Sequence, residues 1–197
     1  MYKRQARGVA FVDAPVSGGE PKAIDGTLAI MCGGAQQDFD RVLPILQKMG
    51  ATVTLTGAIG AGNVTKLANQ IMVACNIAAM GEALVLATRA GLDPEVVFNA
   101  VKGGLAGSTV LNAKAPMVIS GNFQPGFRIN LHQKDLRNAL QAAEAMKVDL
   151  PFTSKAQEIL TALVNDGKGN LDHSAMVTHI EKKAGVEVRK RTAAKAG

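Results

Sequence analysis

Gly57-Ala58-Ile59-Gly60-Ala61-Gly62-Asn63-Val64-Thr65-Lys66-Leu67-Ala68-Asn69-Gln70 decides the fold, because a strand ends where this stretch begins and a long helix starts before it finishes. The β-branched run Thr52-Val53-Thr54-Leu55-Thr56 leads in, and an apolar helical pattern leads out. Three glycines within six residues let the backbone turn sharply and come close to a neighbour. Asn63 or Thr65 is placed to cap the new helix. Lys66 is three residues from Asn69 and four from Gln70, so the three share one helical face, which Val73 and Asn76 extend. A polar stripe on a helix with no exposed side lines something. The alternative is a lysine that snorkels to solvent beside a packed helix.

The 197 residues suffice for a buried core with room for a second small domain. With 47% hydrophobic and only 4% aromatic residues, no Trp and 21 Gly, they suit helices and an α/β sheet packed through small side chains. The net charge of +6 invites a nucleic-acid partner, so its location matters. Residues 182–197 hold Lys182, Lys183, Arg189, Lys190, Arg191 and Lys195 against Glu187 alone, leaving 16 basic and 15 acidic residues elsewhere. The excess charge therefore belongs to a frayed basic tail, and no aromatic residues interleave with it to stack on bases. This excludes nucleic acid. Cys32 and Cys75 sit far apart in apolar runs and read as buried thiols of a reducing, cytoplasmic compartment. His132, His173 and His179 show no ligand spacing, so no metal is expected. The longest apolar run, Ile71 to Ala90, contains Asn76, Glu82 and Arg89, which favours a buried helix over a membrane span.

Taken in order, Val9-Ala10-Phe11-Val12 reads as a buried parallel strand. It runs into Asp13-Ala14-Pro15-Val16-Ser17-Gly18-Gly19, where successive amides and a serine hydroxyl suit an anion; the alternative is an ordinary glycine loop. Leu28 to Cys32 is a second strand, residues 38 to 48 an amphipathic helix with Asp38 as a cap, and Val53 to Leu55 a third strand. This is the closing half of a doubly wound α/β domain. Gly57, Gly60 and Gly62 run in the reverse order to a G-x-G-x-x-G and lack its acidic partner, so they are not a dinucleotide fingerprint. Beyond them the signals are helical throughout: Asn63 to Ala90, a helix capped by Asp93 with Pro94 next, one from Ser108 to Ser120, Leu131 to Met146, Pro151 to Asn165 and Asp172 to Ala184. The expected fold is α/β plus all-α. Residues 1–62 form the C-terminal portion of a Rossmann-like domain, 63–185 an all-helical domain and 186–197 a basic tail.

Three of these stretches resemble a known family. Asp13 to Gly19 resembles the substrate-binding signature of the β-hydroxyacid dehydrogenases, which include 3-hydroxyisobutyrate dehydrogenase. Gly57 to Asn69 resembles their catalytic segment, and Leu131-His132-Gln133-Lys134-Asp135-Leu136 their cofactor-proximal lysine helix. Gly19 to Ala23, Lys66 to Gln70 and Gly103 to Leu111 look most like the tartronate semialdehyde reductase branch. The resemblance implies hydride transfer from NADH or NADPH to the aldehyde carbon of tartronate semialdehyde, giving D-glycerate, or action on another small acid of the 3-hydroxyisobutyrate or 4-hydroxybutyrate type, with Lys66 as general acid/base in a cleft between the domains. Ser17, Gly18 and Gly19 would hold the substrate carboxylate, and Asn69 or Gln70 would orient it; the family's asparagine four after the lysine is Gln70 here. Lys134 would approach the nicotinamide, with Asp135 holding it, while Ser108 is read as a helix cap. A homo-oligomer through the helical domain is expected. A truncated chain acting only as an oligomerisation module is the reading from a different class.

Overall fold

In the computed structural model, residues 8–190 are described. They divide into two compact units, with the boundary between Gln70 and Ile71. That boundary falls inside one helix, eight residues beyond the glycine turn at which the domains were expected to meet.

The first unit is built on three strands, β1 (Val16–Ser17), β2 (Leu28–Gly33) and β3 (Gly50–Gly57), in that order across the sheet. β2 and β3 are parallel, joined through α2 (Gln36–Leu46), while β1 is antiparallel to β2 with Val16 opposite Ile30. A short helix, α1 (Gly19–Ile24), fills the connection between β1 and β2. Here the structure corrects the sequence reading. Val9–Val12 is not a strand; the first ladder contacts come later, at the Asp13–Gly33 bridge and at β1, and both are antiparallel. The antiparallel pairing of β1 with β2 fits the short connection: only Gly18 to Thr27 separates them, and a parallel crossover needs about a dozen residues or more. The cap of α2 also differs: Ala35 is the N-cap with no side-chain bond, and Asp38 lies in the first turn, where its charge suits the helix dipole. Ile30, Cys32 and Phe39 form the buried centre of this unit, with Leu28, Leu43, Leu46, Val53 and Leu55 packed around them.

The helix that carries the chain onward, α3 (Ala61–Arg89), has 29 residues. Its Ala74, Ile77, Met80 and Leu84 are buried, but Met72 and Leu86 are 60% and 72% exposed. By length and composition it could cross a membrane, with a third of its most apolar window buried. The expectation of a helix with no exposed side is therefore corrected: the polar stripe reaches solvent by Asn76, whose side chain donates to Met72 O at 2.8 Å. In the second unit follow α4 (Pro94–Val101), α5 (Thr109–Ser120), α6 (Ile129–Met146), α7 (Pro151–Asn165), a 3-10 turn (His173–Met176) and α8 (Val177–Ala184). Asp93 and Ser108 cap α4 and α5 as the sequence suggested, accepting from Glu95 N and Leu111 N at 2.8 and 2.9 Å. The core joins Ile77 and Leu84 to Leu111, Val118, Leu136, Leu160, Leu163 and Met176. The tail expected to fray from residue 186 is docked as far as Lys190. Val188 is fully buried and its amide donates to Glu181 Oε1 at 2.7 Å, while Arg189 donates to Val118 O. Arg191 and Lys195 of that tail lie outside the described residues.

Candidate functional site

Lys66 stands one helical turn into α3, half-buried, on the turn that follows the glycines. The expected cap is corrected. Neither Asn63 nor Thr65 closes the N-terminus of α3; Thr65 Oγ1 instead donates back to Ala61 O at 2.8 Å. The cap comes from Asp13, a residue 47 positions away from Gly60. Its Oδ1 accepts from Gly60 N at 2.6 Å, and its Oδ2 accepts from Asn63 N at 2.9 Å and Asn63 Nδ2 at 3.2 Å. Gly60 holds φ at 97°, and a Cβ on Gly62 would collide with Met31 O, so the turn needs both glycines. Because a protein carboxylate already fills the helix N-terminus, those amides do not cradle a phosphate.

The other residues singled out fall into two groups. Ser17, half-buried, ends β1, and Gly18 and Gly19 are exposed with φ of 141° and 67°. The Lys22 side chain lies over Gly18, where a Cβ would meet it at 2.6 Å. These residues share the first unit with Lys66, Asn69 and Gln70. Asn69 Nδ2 donates to Gln70 Oε1 at 2.8 Å, and Gln70 is only 4% exposed, so Asn69 is the more accessible carboxamide. Lys134 and Asp135 belong to the helical unit, where they pair at 3.1 Å with the lysine half-exposed. A groove of about 450 Å³ runs along α2 between Ala10–Val12 and Val42–Leu46; none of the candidate residues lines it.

Sequence spacing missed a polar knot in the helical unit. The Asp172 side chain is fully buried, and Lys114 Nζ sits 3.0 Å from both of its oxygens. It also accepts from Gly126 N, Phe127 N and Ser174 N at 3.0–3.1 Å. Beside it His173 Nδ1 and His132 Nδ1 are 2.9 Å apart, which requires one ring to donate and the other to accept. Burial above all, with the neighbouring His132 and Lys114, pushes the His173 pKa down to about 3, while Asp172 pulls the other way. Burial opposes ionisation of Asp172, but His173, hydrogen bonding from Ser174 and the Lys114 charge outweigh it and hold the carboxyl below its usual range. No group of three metal-ligating side chains occurs among the described residues. Burial raises the pKa of both Cys32 and Cys75, with the Asp13 carboxylate adding to the effect at Cys32. Both thiols are free, but Cys75 is half-buried rather than a core residue.

Comparison with known proteins locates these elements. Residues 60–180 match the family model described as NAD-binding of NADP-dependent 3-hydroxyisobutyrate dehydrogenase, and residues 2–57 match the NAD binding domain of 6-phosphogluconate dehydrogenase. The chain belongs to the 3-hydroxyisobutyrate dehydrogenase-like family of β-hydroxyacid dehydrogenases. It is 47% identical over 174 residues to 2-hydroxy-3-oxopropionate reductase of Escherichia coli strain K12, covering 88% of this chain and 60% of that protein. It is 37% identical over 183 residues to 2-(hydroxymethyl)glutarate dehydrogenase of Eubacterium barkeri, covering 92% and 61%. The structure of Mycobacterium tuberculosis 3-hydroxyisobutyrate dehydrogenase with L-serine superposes with a TM-score of 0.83 at 32% identity, over 89% of this chain and 62% of that one. The chain thus spans about 60% of the length of these relatives. Its first unit is part of the family's Rossmann-like domain and its second is the family's helical domain. NAD or NADP is the family's cofactor.

Proposed function

We propose that the protein carrying this chain reduces tartronate semialdehyde (2-hydroxy-3-oxopropanoate) to D-glycerate with NADH or NADPH, and that Lys66 is its general acid/base. The observation that carries this reading is the placement of Lys66 one turn beyond a glycine turn pinned by Asp13, in a chain 47% identical to 2-hydroxy-3-oxopropionate reductase. When bound, the nicotinamide cofactor would supply the hydride for the aldehyde carbon. The carbonyl oxygen gains negative charge in that step, and the Lys66 ammonium both stabilises it and gives it a proton. The Ser17 hydroxyl and the Gly18 and Gly19 amides hold the substrate carboxylate. Asn69 orients the substrate, and Gln70, buried behind it, holds Asn69. Lys134, braced by Asp135, serves the cofactor.

Two further parts of the reading are a cytoplasmic location, suggested by two free cysteines, and a homo-oligomer through the helical unit, suggested by exposed Met72 and Leu86. The deciding assay follows NADH and NADPH oxidation with tartronate, methylmalonate and succinate semialdehydes, in wild type and Lys66→Ala. The alanine variant is expected to lose about 10²–10⁴ in kcat. A near-full kcat would remove Lys66 from the role. Tartronate and methylmalonate semialdehydes differ by a hydroxyl in place of a methyl, and succinate semialdehyde sets its aldehyde one carbon further from the carboxylate, so the three together read hydroxyl recognition and chain length separately.

A further inference from the structure

We infer that Asp13 is the positioning residue of this site: one carboxylate fixes the Ser17 loop and the Lys66 helix at a set separation, and that separation selects the length of the substrate. The inference rests on the proposed reduction. Asp13 is 6% exposed and is held by both its main chain and its side chain. Its amide donates to Gly33 O at 3.0 Å and its carbonyl accepts from Gly33 N at 2.8 Å, which pins it to the end of β2. Its carboxylate holds Gly60 N and Asn63 N, which pins the first turn of α3. Ser17 lies four residues after Asp13, and Lys66 lies three residues after Asn63 on the same helical face. Both ends of the proposed substrate site are thus measured from a single residue, one through its main chain and one through its side chain.

The surroundings are shaped to this carboxylate. A Cβ on Gly33 would lie 2.5 Å from Asp13 Oδ1, and one on Gly62 would lie 2.8 Å from Oδ2. Two glycines on separate elements therefore leave room for the same pair of oxygens. The carboxylate also occupies the electropositive end of α3. A substrate carboxylate is turned away from that helix end and left to the Ser17 loop, which orients the carbonyl toward Lys66. A substrate with one carbon more or fewer between carboxylate and carbonyl would then misplace the reacting oxygen.

Asp13→Asn keeps the shape but exchanges an acceptor oxygen for a donor, so it loosens the clamp with little change in volume. In the full-length protein, the amides of Gly60 and Asn63 should exchange hydrogen at least about tenfold faster. The same variant should lose about tenfold in kcat, with KM for NADH or NADPH within about twofold. Its preference between semialdehydes with one carbon (tartronate, methylmalonate) and with two carbons (succinate) between carboxylate and aldehyde should narrow. A purely structural role would lower thermal stability and the active fraction but leave substrate preference unmoved, and that result overturns the inference. If the variant does not fold, Asp13→Glu replaces it, keeping the charge while lengthening the reach by one carbon. The preference among the three semialdehydes should then change, and a wild-type preference overturns the clamp. A wild type that oxidises neither NADH nor NADPH with any of the three semialdehydes overturns the proposed reduction. In that case unaltered exchange at Gly60 and Asn63 in Asp13→Asn would separately overturn the clamp.

Discussion

Asp13 and Asp172 are built alike and serve different ends. Each is a buried carboxylate that gathers backbone amides from distant segments: Gly60 and Asn63 around Asp13, and Gly126, Phe127 and Ser174 around Asp172. Asp172 adds a lysine at 3.0 Å and a pair of buried imidazoles, whereas the described partners of Asp13 are amides alone. Displaced titrations often mark active sites, but structural ion-pair networks displace them too. Here the large shift at His173 belongs to a knot that ties α5, α6 and the 3-10 turn together. The candidate site is marked by turn geometry and a half-buried lysine.

The largest effect that could break this comparison is on stability. Asp172→Ala should cost about 3–5 kcal/mol in urea unfolding, because it leaves Lys114 buried without its counter-charge. A loss below about 1 kcal/mol would mean that the knot is peripheral. Replacing both partners, as in Asp172→Asn with Lys114→Met, should recover part of the loss if charge burial is the cause.

A smaller effect comes from acid. His173 is held neutral with a pKa depressed from 6.5 to about 3, so the unfolded chain binds a proton that the folded one refuses between those values. Its contribution is complete above pH 6.5 and is lost as pH falls toward 3. Thermal melts should therefore decline across that window, and Asp172, whose carboxyl is also held low, adds a further loss below its ordinary 3.8. In His173→Phe the slope between pH 6.5 and 4 should flatten. An unchanged slope would assign the acid sensitivity elsewhere. The smallest effect is local. Ser108→Ala removes the α5 cap and should cost about 1 kcal/mol without altering the acid profile, since neither Asp172 nor His173 touches that hydroxyl.

Much of the fold was legible because it is written in neighbouring residues. Asp93-Pro94, Ser108 and Pro151 start helices at the positions where the chain shows caps and an N1 proline, and Gly121 ends one with φ at 70°. The glycine turn before Lys66 was legible for the same reason, and so was the ion pair of adjacent Lys134 and Asp135. The misread elements depend on partners further away. Val9–Val12 has strand composition, but pairing is decided by which backbone lies alongside and how long the connection is. Asn63 has the right chemistry for a cap, yet Asp13 takes the amides because its main chain is paired to Gly33 at the end of β2. His132 and His173 share no spacing, but helix packing brings their rings together across 41 positions.

The sequence by itself determined the order of the elements, their caps and breaks, the family resemblance and the lysine at the head of α3. These rest on interactions within about four residues, which a linear pattern records. Only the tertiary structure decided what holds that lysine in place. A buried carboxylate must find amides or a cation, and which ones it finds depends on segments 47 to 58 residues apart meeting in space. Asp13 stands in the sequence as the first letter of a loop motif. In the folded protein it is the residue from which the glycine turn, the helix and Lys66 are hung.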